Sequence, residues 1–183
     1  MLLVVAATER ELAFVRGAET LCCGVGPVEA ALRTARSLAE RPVDAVLHIG
    51  IAGARTIEPP ALVLGSESVY CDLIDAANTQ PRVERVEPDL ELLTRARQTV
   101  PEALVLPIAT SAKVGGGTAC DVEAMEGFGV LRAAALAGVA ALELRAISNA
   151  VGEPDRALWR FDDALAALAG AVERLVLELD DVV

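Results

Sequence analysis

Residues 122–152, which read VEAMEGFGVLRAAALAGVAALELRAISNAVG, decide the fold class of this chain. Their apolar spacing predicts a helix followed directly by a buried strand. A helix N-terminus presents free backbone amides, and the carboxyl end of a parallel strand faces the crevice where open α/β sheets bind small ligands. We therefore expect the residues at the two ends of this unit to reach one pocket: Met125, Glu126, Ser148 and Asn149.

Apolar runs of strand length alternate with helix-like patterns along the rest of the chain. We expect strands over 2–7, 19–23, 43–49, 62–71, 104–109 and 141–148, and helices over 8–15, 27–40, 87–100, 126–138 and 161–180. Pro27 suits the first position of a helix. The segments GIAGA and SAKVGGGTAC are predicted to be a Gly-rich turn and a loop. This rhythm predicts one α/β domain with a largely parallel core.

Composition supports a layered α/β protein. The chain has 183 residues, of which 54% are hydrophobic and 3% aromatic, so its core must be built from Ala, Val and Leu. Buried parallel strands suit such a core better than an aromatic-rich β-sandwich does. The formal net charge of −11 argues against extended binding to nucleic acid or to an anionic membrane.

The sequence predicts no targeting or membrane segment. The opening MLLVVAATERE lacks a basic region and reaches charged residues early, so we expect a first strand there and not a signal peptide. The apolar run 133–142 is too short to span a bilayer. We therefore expect a cytoplasmic protein.

Metal and cofactor sites have little support in the sequence. The four cysteines, Cys22, Cys23, Cys71 and Cys120, lack CxxC spacing, and the only histidine is His48. A zinc or redox site needs closely spaced ligands, so we expect buried or idle thiols and neither a metal nor a cofactor. His48 ends an apolar strand and is predicted to be a core histidine.

The segments after the first strands supply further candidates for the pocket. Glu11 can point across the carboxyl ends of the strands, or it can simply favour the positive end of a helix dipole. The turn GVGPVEAA, 24–31, lacks the third glycine of a dinucleotide fingerprint and the GK[ST] of a P-loop. In GIAGA, Gly50 and Gly53 let the backbone pass close to a ligand, and the amides of Ala52 and Gly53 can bond to one.

Met125, Glu126 and Asn149 each allow two interpretations. Glu126 at a helix start can accept two vicinal sugar hydroxyls while Met125 lies against the ring, or the two can be a helix cap and a core residue. Asn149 offers a donor and an acceptor, which suit a base edge with N7 and a 6-oxo group, or it can form a turn.

Five motifs occur in an order that resembles the purine nucleoside phosphorylase and nucleosidase superfamily: AATEREL, GVGPVEAA, GIAGA, EAMEGF and RAISNAVG. Within it, the chain most resembles the futalosine hydrolases of menaquinone biosynthesis, relatives of methylthioadenosine/S-adenosylhomocysteine nucleosidase. The resemblance implies a single-domain, three-layer fold over 1–183, with a central mixed, largely parallel sheet flanked by helices. It also implies a small nucleoside substrate, no cofactor and a homo-oligomer.

The resemblance further implies roles for individual residues. Glu11 matches the carboxylate that activates the hydrolytic water, and Met125 with Glu126 matches the ribose site. Where the adenine-specific nucleosidases carry an Asp that can protonate a departing adenine, this chain has Asn149. An amide cannot protonate N7 but can donate to N7 or to a 6-oxo oxygen, so hypoxanthine is the expected leaving group. Further substrate-binding candidates are Ala52, Gly53 and Ser148.

Three alternatives stay open at this point. An adenine-type nucleosidase and a purine nucleoside phosphorylase share the fold, and a noncatalytic nucleoside-binding protein would bind without releasing base. A phosphorylase needs cations around its phosphate, and GVGP offers no Arg. Pro59-Pro60-Ala61 stands where many relatives have Gly-Asp, and 111–120 is short where relatives often place base-stacking residues. No residue is therefore assigned to stack on the base.

Overall fold

The computed structural model describes residues 1–74, 79, 81–115 and 117–180. Eight strands and five α-helices make up most of this part of the chain. The strands are β1 (Leu2–Ala6), β2 (Glu19–Cys22), β3 (Ala45–Ala54), β4 (Leu62–Tyr70), β5 (Arg85–Val86), β6 (Leu104–Thr110), β7 (Val122–Ala124) and β8 (Ala140–Ala150). The α-helices are α1 (Glu9–Leu12), α2 (Pro27–Glu40), α3 (Leu90–Thr99), α4 (Gly127–Ala137) and α5 (Phe161–Asp180).

The strands form one mixed sheet in the order β2-β1-β3-β7-β6-β4-β5, with β8 paired to both β3 and β4. The pairs β1–β2, β1–β3, β3–β8, β4–β6 and β6–β7 are parallel, whereas β3–β7, β4–β5 and β4–β8 are antiparallel. The pairings of β3, β8, β4, β6 and β7 close into a ring. The predicted mixed, largely parallel sheet is confirmed.

Helices cover both faces of this sheet. Because side chains alternate along a strand, β1 sends Leu2 and Val4 to one face and Leu3 and Val5 to the other. Leu2 and Val4 belong to a buried cluster with apolar residues of α3 and α5. Leu3 and Val5 belong to a second cluster with apolar residues of α2 and α4. The result is the predicted arrangement of three layers.

Short local signals set the ends of the helices. Thr8 caps α1 in a capping box with Glu11, and Pro27 occupies the first turn of α2. Asp89 caps α3 by accepting from two backbone amides, and Gly138 ends α4 in the left-handed conformation at φ 70°. The predictions 27–40 and 161–180 agree with α2 and α5 to the residue.

Other predicted bounds need correction. Helix α1 ends at Leu12 and not at 15, where the Val15 amide donates to the Leu12 carbonyl in a turn. Helix α3 begins at Leu90 and not at 87, because Asp89 is its cap. Strands β5 and β7 were not predicted, since two and three residues are too few to show a period. The stretch SAKVGGGTAC is a loop in its described part, as predicted.

The GIAGA segment lies in a strand, so the predicted Gly-rich turn is wrong. Strand β3 continues to Ala54 because Gly53 and Ala54 pair with β7 on one side and with β8 on the other. Partners on both sides satisfy the backbone groups and keep the segment extended. A register shift between Ala52 and Gly53 marks a bulge in the β3–β8 pairing.

The described residues contain no helix of the length and apolar character needed to cross a membrane. Within the same residues, no group of three or more His, Cys, Asp or Glu side chains is placed to hold a metal ion. All four cysteines are free thiols.

Candidate active site

A cavity of about 360 Å³ opens at the carboxyl ends of β1, β3 and β8, beside the N-terminus of α4. The carboxyl ends of the parallel strands β1, β3 and β8 meet here, at the edge of the sheet where the sequence predicted the pocket. Every site residue predicted from the sequence lines it: Glu11, Ala52, Gly53, Met125, Glu126, Ser148 and Asn149.

Three donors fix the carboxylate of Glu11, which is 7% exposed. Its Oε2 accepts from the Thr8 amide at 3.1 Å and from the Thr8 hydroxyl at 2.7 Å. Its Oε1 accepts from the Ile51 amide at 3.1 Å. Each carboxylate oxygen has about two acceptor positions, so Oε1 keeps one for a further donor such as water. Glu11 therefore caps α1 and lines the cavity in one geometry.

Glu126 is the N-cap residue of α4, but its side chain makes no capping bond. Its Oε1 accepts from the Gly26 amide at 3.1 Å, and its Oε2 lies 3.7 Å from Nη2 of Arg145. The pKa of this carboxyl is raised, mainly by burial and also by the nearby charges of Glu11 and Glu143, against the opposing effect of Arg145. Glu126 therefore occupies the cap position, but its carboxylate bonds to Gly26 and not to the amides of α4.

The GVGP turn binds this carboxylate through the Gly26 amide, which is therefore not free to bind a phosphate. Gly26 adopts φ 93°, a conformation that favours glycine, and this turns its amide towards Glu126. Further along, a Cβ on Gly129 would lie 2.5 Å from the Pro27 carbonyl oxygen, so glycine there lets α4 approach α2. The two glycine-containing motifs GVGP and EGFG thus fit together.

Asn149 lies inside β8 and does not form a turn. Its Oδ1 accepts from the Ser148 hydroxyl at 2.7 Å, and its Nδ2 donates to the Ala150 carbonyl at 2.9 Å. An amide nitrogen carries two hydrogens, so one N–H stays available towards the cavity. Gly53 leaves room for this amide, because a Cβ there would lie 3.0 Å from Nδ2.

A buried charge network behind the cavity was not predicted. Arg145 and Glu143 are 1% and 0% exposed, and Nε of Arg145 donates to Oε1 of Glu143 at 2.8 Å. The other Glu143 oxygen accepts from the Ser68 hydroxyl. The signal was present as charges at alternate positions of LELR, inside a strand with apolar neighbours. A charged side chain in a buried strand requires a partner of opposite charge. The pattern LELR could therefore have predicted a buried ion pair.

Two glycines of the site motifs make room for this network. A Cβ on Gly50 would lie 2.2 Å from Nη1 of Arg145 and 3.0 Å from Oε1 of Glu11. A Cβ on Gly127 would lie 2.3 Å from both oxygens of Glu143. We predicted that Gly50 lets the backbone pass close to a ligand. The structure shows instead that it makes room for the charged side chain of Arg145.

His48 is a core histidine, as predicted. It is 0% exposed and absent from the cavity wall. Its Nδ1 lies 3.0 Å from the Val5 carbonyl oxygen, and its Nε2 contacts Nη2 of Arg145. Burial and the charge of Arg145 lower its pKa well below the ordinary histidine value.

Aromatic and basic side chains from the start of α5 and the segment before it complete the wall. The rings of Trp159 and Phe161 lie 5.3 Å apart, and the guanidinium of Arg10 lies 5.7 Å from the Phe161 ring. These residues were not predicted, because nothing in the sequence brings 159–161 next to the first helix. Lys113 and Arg156 also line the cavity as exposed side chains.

Comparisons with known proteins agree with this geometry. The Phosphorylase superfamily model matches residues 16–179. A futalosine hydrolase of Streptomyces coelicolor is 38% identical, over 90% of this chain and 80% of that protein. One of Thermus thermophilus is 32% identical, over 85% of this chain and 79% of that protein.

Solved structures share the fold. A futalosine hydrolase mutant of Helicobacter pylori superimposes with a TM-score of 0.84 at 18% identity, covering 100% of this chain and 99% of that one. A methylthioadenosine/S-adenosylhomocysteine nucleosidase of S. pneumoniae gives 0.83 at 21% identity, covering 98% and 99%. The chain belongs to the phosphorylase superfamily and, within it, to the futalosine hydrolase family.

Proposed function

We propose that the chain hydrolyses the N-ribosidic bond of futalosine, releasing hypoxanthine and dehypoxanthinylfutalosine. One observation carries the proposal: the carboxylates of Glu11 and Glu126 and the amide of Asn149 line one cavity of about 360 Å³. The activity of the family members at 38% and 32% identity supports the choice of substrate.

The ribose is assigned to Glu126 and Met125. Glu126 is held from behind by the Gly26 amide and faced by Arg145, and it lines the cavity together with Met125. A carboxylate fixed in this way can accept bonds from the two vicinal hydroxyls of the sugar, while the thioether lies against the ring. These interactions hold the sugar in place for the attack.

The nucleophile is a water molecule bound to Glu11. Bond cleavage gives an oxocarbenium-like transition state, in which positive charge develops on the sugar. A carboxylate next to that sugar stabilises the charge and takes a proton from the attacking water. Oε1 of Glu11 suits this role because, within the described part of the chain, the Ile51 amide is the one donor bonded to it.

Asn149 is assigned to the leaving base. Its amide is oriented by Ser148 and by the Ala150 carbonyl, so an N–H can be aimed at N7 or at a 6-oxo oxygen. As negative charge develops on the departing purine, that donor stabilises it without transferring a proton. This favours hypoxanthine over adenine, and an adenine-type nucleosidase is the second candidate because the fold is shared.

A phosphorylase fits the site less well. Phosphate binding needs donors and cations, but the Gly26 amide is occupied by Glu126 and the Ile51 amide by Glu11. Arg145 is engaged by Glu143 and does not line the cavity. Arg10, Lys113 and Arg156 also line the cavity, but the carboxylates of Glu11 and Glu126 would both repel a phosphate placed between them.

The test is release of base by the purified protein from futalosine, inosine and methylthioadenosine, each with and without phosphate. We expect hypoxanthine from futalosine at a rate that does not depend on phosphate. Phosphate-dependent release would identify a phosphorylase, adenine from methylthioadenosine alone would identify the other nucleosidase, and binding without release would identify a noncatalytic protein.

Glu11→Gln is the matching variant. It should lower kcat by ~10²-fold or more while leaving substrate affinity nearly unchanged, because it removes the base but keeps the shape. Glu9→Gln, on the same helix and exposed, is the control. Near wild-type turnover by Glu11→Gln would exclude the proposed role.

We further propose that residues 1–183 form one domain and that the protein works in the cytoplasm as a homo-oligomer, and exposed apolar residues in and just before α2 support the oligomer. Val25, Val28 and Leu32 are 60%, 68% and 64% exposed, and Val25 also lines the cavity. Neighbouring exposed apolar residues suit an interface with a second copy. Sedimentation equilibrium should give a mass above that of one 19.0 kDa chain.

A further inference from the structure

His48 and Arg145 share a contact that fixes the proton on the imidazole. A guanidinium has only donors, so Nε2 of His48 must present its lone pair to Nη2 of Arg145. The neutral ring then carries its proton on Nδ1, from which it donates to the Val5 carbonyl oxygen at 3.0 Å. A protonated ring would instead point an N–H at the arginine, and the lowered pKa of His48 is consistent with the neutral form.

Arg145 connects His48 to Glu126 in the cavity wall. Its Nε bonds to Glu143 at 2.8 Å, so two atoms of the guanidinium plane, Nε and Nη2, are held by separate partners. The same Nη2 lies 3.7 Å from Oε2 of Glu126. The rotation of the guanidinium about its stem, and hence the direction of Nη2, therefore depends on the acceptor at His48.

We propose that His48 is a positioning residue for the ribose carboxylate: as the Nδ1–H tautomer it holds Arg145 so that the guanidinium faces Glu126. The role rests on the function proposed above, in which Glu126 binds the sugar hydroxyls. His48 touches no substrate, since it does not line the cavity.

The position of Arg145 affects the pKa of Glu126, because several charged or titratable groups surround this carboxyl. It is faced by Arg145 and Glu143 from β8, by Glu11 from α1 and by the Cys23 thiol after β2. Only Arg145 among these carries positive charge, and it lowers the pKa of Glu126. When the arginine is no longer held, that pKa should rise further, and more of the carboxyl should be protonated at neutral pH.

The first test is a ¹⁵N NMR spectrum of histidine-labelled protein, which is unambiguous because the chain contains one histidine. We expect a protonated Nδ1 and a lone-pair Nε2, unchanged between pH 8 and pH 5.5. An Nε2–H tautomer or an imidazolium in that range would overturn the proposal. This measurement needs no activity, so its outcome is separate from that of the proposed function.

The second test compares His48→Met, which removes the acceptor, with His48→Gln, which can restore one near the position of Nε2. An unsatisfied buried donor costs on the order of one hydrogen bond, so kcat/KM should fall about tenfold in His48→Met. The acid limb of the pH profile should move to higher pH, and His48→Gln should largely reverse both changes. Should His48→Met not fold, His48→Asn, which reaches Val5 but not Arg145, replaces it with the same expectations.

Substrates with and without the 2′-hydroxyl distinguish an effect through Glu126 from a general loss of structure in the variant. A substrate without the 2′-hydroxyl has lost one partner of Glu126, so the penalty of His48→Met should be smaller with it than with the ribosyl substrate. An equal penalty with both substrates, or an acid limb that stays in place, would refute a role through Glu126.

Discussion

Replacing Arg145 with methionine should destabilise the folded protein far more than loss of one surface charge would. Arg145 is 1% exposed, and its partner Glu143 is 0% exposed. Removing one member of a buried pair leaves the other charge without compensation, which typically costs about 3–5 kcal/mol. Single domains typically have ~5–15 kcal/mol of stability, so Arg145→Met should lose between about a fifth and all of it.

The double variant Arg145→Met/Glu143→Leu should recover much of that loss. Apolar residues of similar volume often replace a buried pair at little net cost. The Ser68 hydroxyl and Nε2 of His48 would still lose partners, at about 1 kcal/mol each, and the carboxyl of Glu126 would lose the cation that faces it. We therefore expect the double variant to lie about 2 kcal/mol or more below the wild type but above the single variant.

Urea unfolding followed by far-UV circular dichroism measures these differences. Arg97→Met, on the exposed side of α3, is the control and should change the free energy of unfolding by less than about 0.5 kcal/mol. The deficit of Arg145→Met should also shrink as pH falls, because an unpaired buried carboxylate is relieved by protonation. Equal midpoints for the single and double variants would show that the uncompensated charge is not the cause.

Other predictions concern the base, the glycines and pH. Asn149→Asp should shift preference from 6-oxo towards 6-amino purines, since a protonated Asp can deliver a proton to N7; unchanged ratios of kcat/KM would contradict the assignment. Gly127→Ala should cost ~1–3 kcal/mol of stability, because its Cβ would lie 2.3 Å from the Glu143 carboxylate. Gly170→Ala, with open space around its Cβ, should instead stabilise by about 0.5–1 kcal/mol, and equal melting shifts for the two would refute the packing argument. The raised pKa of Glu126 should place the acid limb of kcat/KM above the pH where an ordinary glutamate titrates, with activity lost as pH falls through it; a limb at the ordinary pH would contradict this.

The parts of the fold that follow local rules could be predicted from the sequence. The bounds of α2 follow from Pro27 at its start, and α5 follows from apolar residues recurring at three and four. The convergence of Glu11 with Asn149 follows from the rule that parallel strands place their carboxyl ends at one edge. These inferences need only the chain within a few residues of each position.

Features that depend on distant partners could not be predicted. GIAGA has the composition of a turn, but pairing with β7 and β8 makes it a strand. The hydrogen bond from the Gly26 amide to Glu126 joins residues 100 positions apart, so no local sequence pattern predicts it. Likewise, the contact of Arg145 with His48 needs β3 and β8 as neighbours, a pairing that the one-dimensional pattern does not specify.

The packing of Gly50 and Gly127 against the buried pair couples the effects of substitutions at these four positions. A side chain at either glycine should cost stability while Arg145 and Glu143 are present, because each Cβ would lie within 2.3 Å of a charged group. The effects of substitutions at these positions should therefore not add, since residues in contact couple energetically. Gly127→Ala, for example, should cost less in a variant that lacks the Glu143 carboxylate than in the wild type.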